Sequence, residues 1–428
     1  MSEIRKMRIG LFTDAYVPSV NGVVTSVETL KKALEQKGHT VYVVTVGQDA
    51  KTYDYDEEQR ILRIPGIPLG IYDYRMSSIY PLKVINKIKS WNLEIIHSHT
   101  ELSMGIFARL FAKQYNIPLV HTYHTMYKDY TWYVSRNIKY FDMGCKKAVE
   151  YISKFYCDNT ADAFIVPTVK TYHLFRDEYH YDKDIYIVPT GIEASRFYKE
   201  NSDKLKVLKL RHNLGYKRKD FVMLFVGRLA QEKNVPFLFD IIEKTKNKNI
   251  KLLIVGYGPD EEKYKKEVEK RNLTDRIKFT GKVAWDDMPS YYHIANAFIT
   301  ASTTETQGLT VIEALAASLP VICIEDDAFK SAVIDNFNGR IFKNKKECLK
   351  IVEELATNKL ELENLTDKAE GSIKKYSISS FADSVLEVYK VAITKHNKKQ
   401  PLTTVFVDKI KNVLKGAKKN DRSLKSQE

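Results

Sequence analysis

The sequence predicts an α/β chain of two Rossmann-like, doubly wound domains that face each other across a cleft. Three observations carry that prediction. Short apolar runs alternate with helical patterns in two successive series; a polar, Lys-rich stretch from Asn201 to Lys219 separates the series; and 428 residues suffice for two or three domains at roughly 100–200 residues each.

The elements follow in order. Arg8 to Phe12 is apolar-rich, Pro18 to Gly22 is turn chemistry, and Val24, Val27, Leu30 and Leu34 recur at helical spacing, so the chain opens with a strand, a loop, a helix and a second strand. Further strands are predicted at Leu93–His97, Leu119–Thr122, Ala163–Pro167 and Ile185–Pro189, each short, apolar and bounded by turns or helical patterns. The second series runs through Phe221–Val226, Lys251–Val255, Ile277–Phe279, Ala297–Ile299 and Val321–Ile324. The expected units are residues 1–195, 196–394 and a tail, 395–428, with the last helix of the second unit able to pack back on the first. In such sheets ligands bind beyond the carboxyl ends of the strands, so a nucleotide-type ligand between the halves is expected.

Composition excludes several classes. Hydrophobic residues make up 44% and charged residues 29%, which argues against a disordered or fibrous chain. The apolar runs, of which Phe221 to Val226 is typical, fall far short of the roughly 18 residues a spanning helix needs. The charged start, Met1 to Arg8, has no long apolar core, so secretion is not expected. Four cysteines without a C-x-x-C pair fit a reducing cytoplasm. The net charge is +14, and +7 of it lies in residues 395–428, which points to an anionic partner for the tail.

Several motifs bear on chemistry. In Val17-Pro18-Ser19-Val20-Asn21-Gly22-Val23-Val24, a glycine at a helix start lets backbone N–H groups approach an anion, although an ordinary turn would account for it equally. Arg228 and Lys233, in Gly227-Arg228-Leu229-Ala230-Gln231-Glu232-Lys233, lie just past a strand end and could clamp a diphosphate; alone, they would read as surface charges. Most specific is Thr304-Glu305-Thr306-Gln307-Gly308-Leu309-Thr310-Val311-Ile312-Glu313. Its two glutamates are eight positions apart, about 2.2 helical turns, so the loop presents Glu305 and the helix presents Glu313. An acid amid Val311, Ile312, Ala314 and Leu315 needs a partner, and sugar hydroxyls would serve.

Together with Val188-Pro189-Thr190-Gly191-Ile192-Glu193, these segments resemble the retaining nucleotide-sugar enzymes of glycosyltransferase family 4, over residues 7 to about 390. The resemblance implies the GT-B fold, with Gly22 near the donor diphosphate, Arg228 and Lys233 neutralising it, Glu305 on donor-sugar hydroxyls and Glu313 on the ribose. It further implies that the backbones of Gly308, Leu309 and Thr310 help hold phosphate and sugar, and that His124 lies beside the transferred sugar. His97 and His99 end another strand and read as structural or supporting. Two departures concern loop geometry: the family's Ala-x-Gly-x-Pro-Val is Ala317-Ser318-Leu319-Pro320-Val321 here, and its Asn-Gly-Ile-Asp is Thr190-Gly191-Ile192-Glu193.

Asp54-Tyr55-Asp56 has the D-x-D spacing of metal-binding transferases of another fold. Its place in the polar stretch Lys51–Arg60, away from any predicted strand end, argues against that role, and no metal or other cofactor is expected. For the acceptor, the aromatic and basic segment containing Tyr127, Lys128 and Trp132 suits a lipid interface or, equally, a packed helix pair under the cleft rim. In the tail, Phe406, Ile410, Val413 and Leu414 share a helical face ringed by Lys411, Lys415 and other lysines, as an interfacial helix would have; a solvated tail is the alternative. No nucleic-acid motif occurs.

Within the family the motifs look most like bacterial diacylglycerol glucosyltransferases, which make glycolipids including lipoteichoic acid anchors. The expectation is transfer of glucose from UDP-glucose to 1,2-diacylglycerol by a peripheral protein on an anionic cytoplasmic membrane face. Extension of a glycolipid or polysaccharide, or a non-catalytic membrane scaffold, are the alternatives.

Overall fold

A computed structural model describes residues 5–19, 21–68, 75–129, 146–151, 153–154 and 160–399. Trp132, Phe406, Lys411 and Lys415, together with Cys145 and Cys157, lie outside the described residues.

The first sheet contains β1 (Arg8–Thr13), β2 (Thr40–Val46), β3 (Asp54–Asp56) and β4 (Ile61–Ile64), while β5 (Ile67–Pro68) and β6 (Arg75–Met76) form a separate two-stranded ribbon. It continues with β7 (Ile95–Ser98), β8 (Leu119–Thr122), β9 (Ala163–Val166) and β10 (Ile185–Ile187), in the spatial order β10-β9-β8-β7-β1-β2-β4-β3. The second sheet holds β11 (Phe221–Val226), β12 (Ile250–Val255), β13 (Ile277–Phe279), β14 (Ala297–Thr300), β15 (Val321–Ile324) and β16 (Gly339–Phe342), ordered β13-β12-β11-β14-β15-β16. Every pairing in the two large sheets is parallel except β3 with β4.

Strand periodicity explains the layers. Val41 and Val43 face one core while Val44 and Val46 face the other. On β11, Val222 and Leu224 point to one side, and Phe221, Met223 and Phe225 to the opposite one. Both faces are covered, so these strands read as continuous apolar runs.

Three strands of the large sheets, besides the β5–β6 ribbon, escaped the sequence reading or changed it. Asp54-Tyr55-Asp56 is itself an edge strand, antiparallel to β4, with Asp54 3.3 Å from Arg63 and Tyr55 stacked on Trp91. Its alternation of charge and aromatic is that of an edge with one solvated face. β4 and β16 are four residues each, and Arg63 and Arg340 interrupt their apolar pattern.

The helix Ile378–Lys399 returns to the first domain, so the second unit's core ends before residue 378. Its Phe381, Ala382, Val385, Leu386 and Tyr389 pack among Ile9, Leu11, Val27 and Leu30. The family glycine missing from Ala317-Ser318-Leu319-Pro320-Val321 is replaced without loss of the turn: Ser318 adopts φ +56°, its N–H bonds the Leu315 carbonyl, and its hydroxyl lies 3.1 Å from Glu370.

Replacing Leu386 by Ala is expected to cost about 2–5 kcal/mol through the cavity left in the first domain's core. Denaturant unfolding checks this as a lowered transition midpoint; an unchanged midpoint would mean the returning helix is not part of that core.

Candidate active site

Each sheet reverses its strand order once, between β1 and β7 and between β11 and β14. At such points adjacent loops leave in opposite directions and open a crevice. The loop after β1 leads through Ser19 to Gly22, the turn after β7 carries His99, the loop after β11 carries Arg228 and Lys233, and the loop after β14 carries Glu305.

Gly22 starts a helix running to Gln36. The Asn21 side chain caps it by accepting from Val23 N–H and Val24 N–H, both at 3.0 Å. A Cβ on Gly22 would meet nothing within 4 Å, so no internal packing demands glycine there. Gly308 differs: its φ is +71° and a Cβ would lie 2.6 Å from the Phe329 ring. It precedes the helix Leu309–Ala316, which brings Leu309 and Thr310 to the mouth and carries Glu313 inward.

Each predicted cation has a carboxylate partner. Lys233 Nζ donates to Glu305 at 2.5 Å, and both side chains are about one-fifth exposed, at 17% and 22%. Burial opposes ionisation of Glu305, but the Lys233 ammonium outweighs it and holds the carboxyl below its usual range. Arg228 pairs with the buried Glu232 one turn on, and Thr304 donates to the Glu232 carbonyl at 3.3 Å. Glu313 is buried and accepts from the Tyr292 hydroxyl at 2.6 Å; burial pushes its carboxyl up to about 7. Its partner in this state is a protein hydroxyl, which the sequence reading did not identify.

The first domain supplies four histidines. His99 Nδ1 lies 3.0 Å from His124 Nε2, so one nitrogen donates and the other accepts. Burial lowers both pKa values, that of His124 to about 4, and leaves the two rings neutral. His97 is committed to Thr122 and to Tyr389 of the returning helix. His121 Nδ1 faces the Ser98 carbonyl, which can only accept, so in the neutral ring Nε2 accepts a hydrogen bond from Glu101 at 3.1 Å. Burial pushes Glu101 up to about 7, which agrees with a carboxylic acid donor there.

Tyr127 and Lys128, read as acceptor or membrane residues, are engaged otherwise. The Tyr127 hydroxyl donates to Glu101 at 2.6 Å, and Lys128 pairs with Glu178 at 2.7 Å. The turn they occupy is thus tied into the first domain.

The two halves meet along residues 303–307. Thr306 donates to the His124 carbonyl at 2.9 Å and accepts at its own carbonyl from Thr168 at 2.6 Å. These bonds bring His124, Glu305 and Lys233 to one place. Beside the Asp14–Ser19 loop a cavity of about 360 Å³ opens between the halves, lined by Arg63 and Arg75 from the first and by Tyr257 and Lys282 from the second. It lies to one side of the Lys233–Glu305 pair and does not include it.

Sequence reasoning missed Glu101, His121, Tyr292 and the loop Gly256-Tyr257-Gly258. A Cβ on Gly256, at φ +135°, would lie 2.0 Å from the Gly227 carbonyl oxygen, so this glycine lets the loops after β11 and β12 touch. A Gly-x-Gly at a strand end was the available signal. Among the described residues, no group of three or more His, Cys, Asp and Glu side chains is arranged to hold a metal ion.

Residues 20–196 match the family described as Glycosyltransferase Family 4, and residues 207–372 match Glycosyl transferases group 1. The chain is 38% identical over 399 residues to an alpha-monoglucosyldiacylglycerol synthase of Acholeplasma laidlawii, spanning 92% of this chain and 99% of that one. It is 32% identical over 398 residues to the protein of that name from Streptococcus pneumoniae, spanning 91% and 87%. Among solved structures, sucrose-phosphate synthase of Thermosynechococcus elongatus aligns with TM-score 0.72 and 20% identity over 90% of this chain and 98% of that one. Anabaena HepE in complex with UDP-glucose aligns with TM-score 0.69 and 16% identity over 90% and 99%. These structures share the GT-B arrangement.

Glu101 provides a pH test of the buried network. An acid whose folded pKa lies above its unfolded value withdraws stability as pH rises between the two, here from the usual 4.5 to about 7. Glu101→Gln keeps a donor toward His121 and an acceptor for Tyr127 with no proton to lose. Its melting temperature relative to the native chain is expected to rise from pH 5 to pH 8; a difference constant with pH would mean that Glu101 takes up no proton on folding.

Proposed function

The chain belongs to glycosyltransferase family 4, and on that premise we propose that it transfers glucose from UDP-glucose to the free hydroxyl of 1,2-diacylglycerol with retention of the α configuration. The observation that carries this reading is identity to two alpha-monoglucosyldiacylglycerol synthases along nearly the whole chain, spanning both halves of the cleft. The product would be α-monoglucosyldiacylglycerol.

The chemistry needs charge stabilisation more than acid–base work. As the bond from glucose C1 to the UDP oxygen breaks, negative charge grows on the diphosphate and positive charge on the sugar. Arg228 and Lys233 meet the first, with the open space over Gly22 and the helix start behind it. Glu305, ionised beside Lys233, offers an acceptor to sugar hydroxyls and a negative charge to the developing cation. Glu313 would accept from the ribose while Tyr292 holds it from the other side. Backbone groups of Gly308, Leu309 and Thr310 complete the donor pocket.

His124, neutral at physiological pH, cannot donate as an imidazolium; it orients the sugar through one ring nitrogen while His99 occupies the other. The new bond forms between glucose C1 and the acceptor oxygen, and the acceptor's proton passes to the departing phosphate oxygen. No metal is required, because the two cations supply the charge.

No helix among the described residues is long and apolar enough to cross a membrane. The protein is proposed to work as a peripheral enzyme on an anionic cytoplasmic membrane face, where its lipid acceptor resides.

Purified protein given UDP-glucose, diacylglycerol in anionic vesicles and a chelator should form an α-glucosyl lipid. Lys233→Ala should lower turnover by roughly 10²–10³-fold while the fold persists. Absence of a lipid product from the native chain would overturn the acceptor assignment; near-native turnover in the variant would overturn the clamp.

A further inference from the structure

Gln307 lies two residues beyond Glu305 and one before the left-handed Gly308, and no role was expected of it. Its amide spans the domain boundary. Oε1 accepts from Thr190 N–H at 2.8 Å and Nε2 donates to the Thr190 carbonyl at 2.8 Å, so one side chain satisfies both backbone groups of one residue. Both residues are buried, so neither pair of groups has solvent as an alternative partner. Thr190 belongs to the segment joining the halves. Its hydroxyl lies 2.9 Å from the Ser26 hydroxyl, one turn into the helix that Gly22 begins.

A continuous path therefore runs from the Gly22 helix through Ser26, Thr190 and Gln307 to the loop that carries Glu305. These are the first-domain and second-domain parts of the donor site. We propose that Gln307 is a positioning residue that sets the separation between the Gly22 helix start and the Lys233–Glu305 pair. The inference rests on the donor reading above and assigns Gln307 no contact with substrate.

Only an amide meets the requirement as it stands, since the site needs one acceptor and one donor at fixed places. A carboxylate of the same shape accepts from Thr190 N–H but turns its second oxygen on the Thr190 carbonyl. Protonation restores the donor. The ionisable groups around the clasp are paired or neutral: Lys32 with Glu193, Lys170 with Asp326 and the Thr303 carbonyl, Lys233 with Glu305, and His124 uncharged. The ratio of variant to native activity at each pH cancels their contributions.

The test measures kcat for glucosyl transfer and UDP affinity in the full chain, for native protein, Gln307→Glu and Gln307→Leu. Expected for Gln307→Glu at pH 8 are a fall in kcat of about 10- to 100-fold and weaker UDP binding, because Gly22 and Lys233 both serve the diphosphate, with both ratios to native climbing as pH falls to 5.5. Gln307→Leu should lose kcat to a similar extent with no recovery at low pH. A Gln307→Glu ratio constant with pH, or native UDP affinity beside a lowered kcat, overturns the proposal. If the native chain transfers no glucose, the donor reading fails and this inference with it.

Discussion

The docking of residues 303–307 of the second domain against the first is the contact on which the rest of the site depends. Two parallel sheets with covered faces leave only their carboxyl ends for chemistry, and each end holds half of what a sugar-nucleotide transferase needs. The cations and Glu305 come from the second half; the Gly22 helix and His124 come from the first. Thr306 on the His124 carbonyl, Gln307 on Thr190, and Lys170 on the Thr303 carbonyl and Asp326 close the gap between them. Glu305 sits within this zipped segment, so interdomain packing and placement of the acid are one event.

The two sides of the cleft are electrically unlike. The second domain's wall is built from charged pairs, Lys233 with Glu305 and Arg228 with Glu232, in which removal of water is offset by opposite charge close by. Around His124 the first domain's wall is polar: burial lowers the pKa values of His97, His99, His121 and His124 and raises those of Glu101 and Asp14, while Arg63 and Arg75 bring positive charge beside the Asp14–Ser19 loop. A diphosphate beside the second domain would find Lys233 and Arg228, while the sugar and acceptor would meet the hydrogen-bonding groups around His124. Charge separation during transfer is best supported by fixed dipoles and ions of this kind.

Much of this was legible in the sequence because buried parallel strands are written as apolar runs. Phe221–Val226, Leu119–Thr122 and Val321–Ile324 could be read directly, and Gly308 and the paired glutamates announced a loop followed by a helix. What was hidden is of two kinds. Short or edge strands such as Asp54–Asp56 and Gly339–Phe342 carry charges that blur the period, because one face or one end is solvated. Partners distant along the chain are invisible to spacing: Glu305 meets Lys233 and Glu101 meets His121 because neighbouring strands bring their ends together, and Tyr292 meets Glu313 across the two helices that flank β14 in the chain. That Arg228 and Lys233 bring charge to a strand end was therefore foreseeable, and their ion pairs were not.

In the proposed function Lys233 is the cation that a diphosphate recruits, held until then by Glu305. Calorimetric measurement of UDP binding to Glu305→Gln tests that most directly, because UDP lacks the glucosyl group that residue 305 would touch. The neutral amide removes a negative charge from the site and releases Lys233, so UDP is predicted to bind at least as tightly as to the native chain. Binding tenfold weaker, with the variant folded, would mean that Glu305 itself organises the nucleotide site and that the pair is not a cation held in readiness.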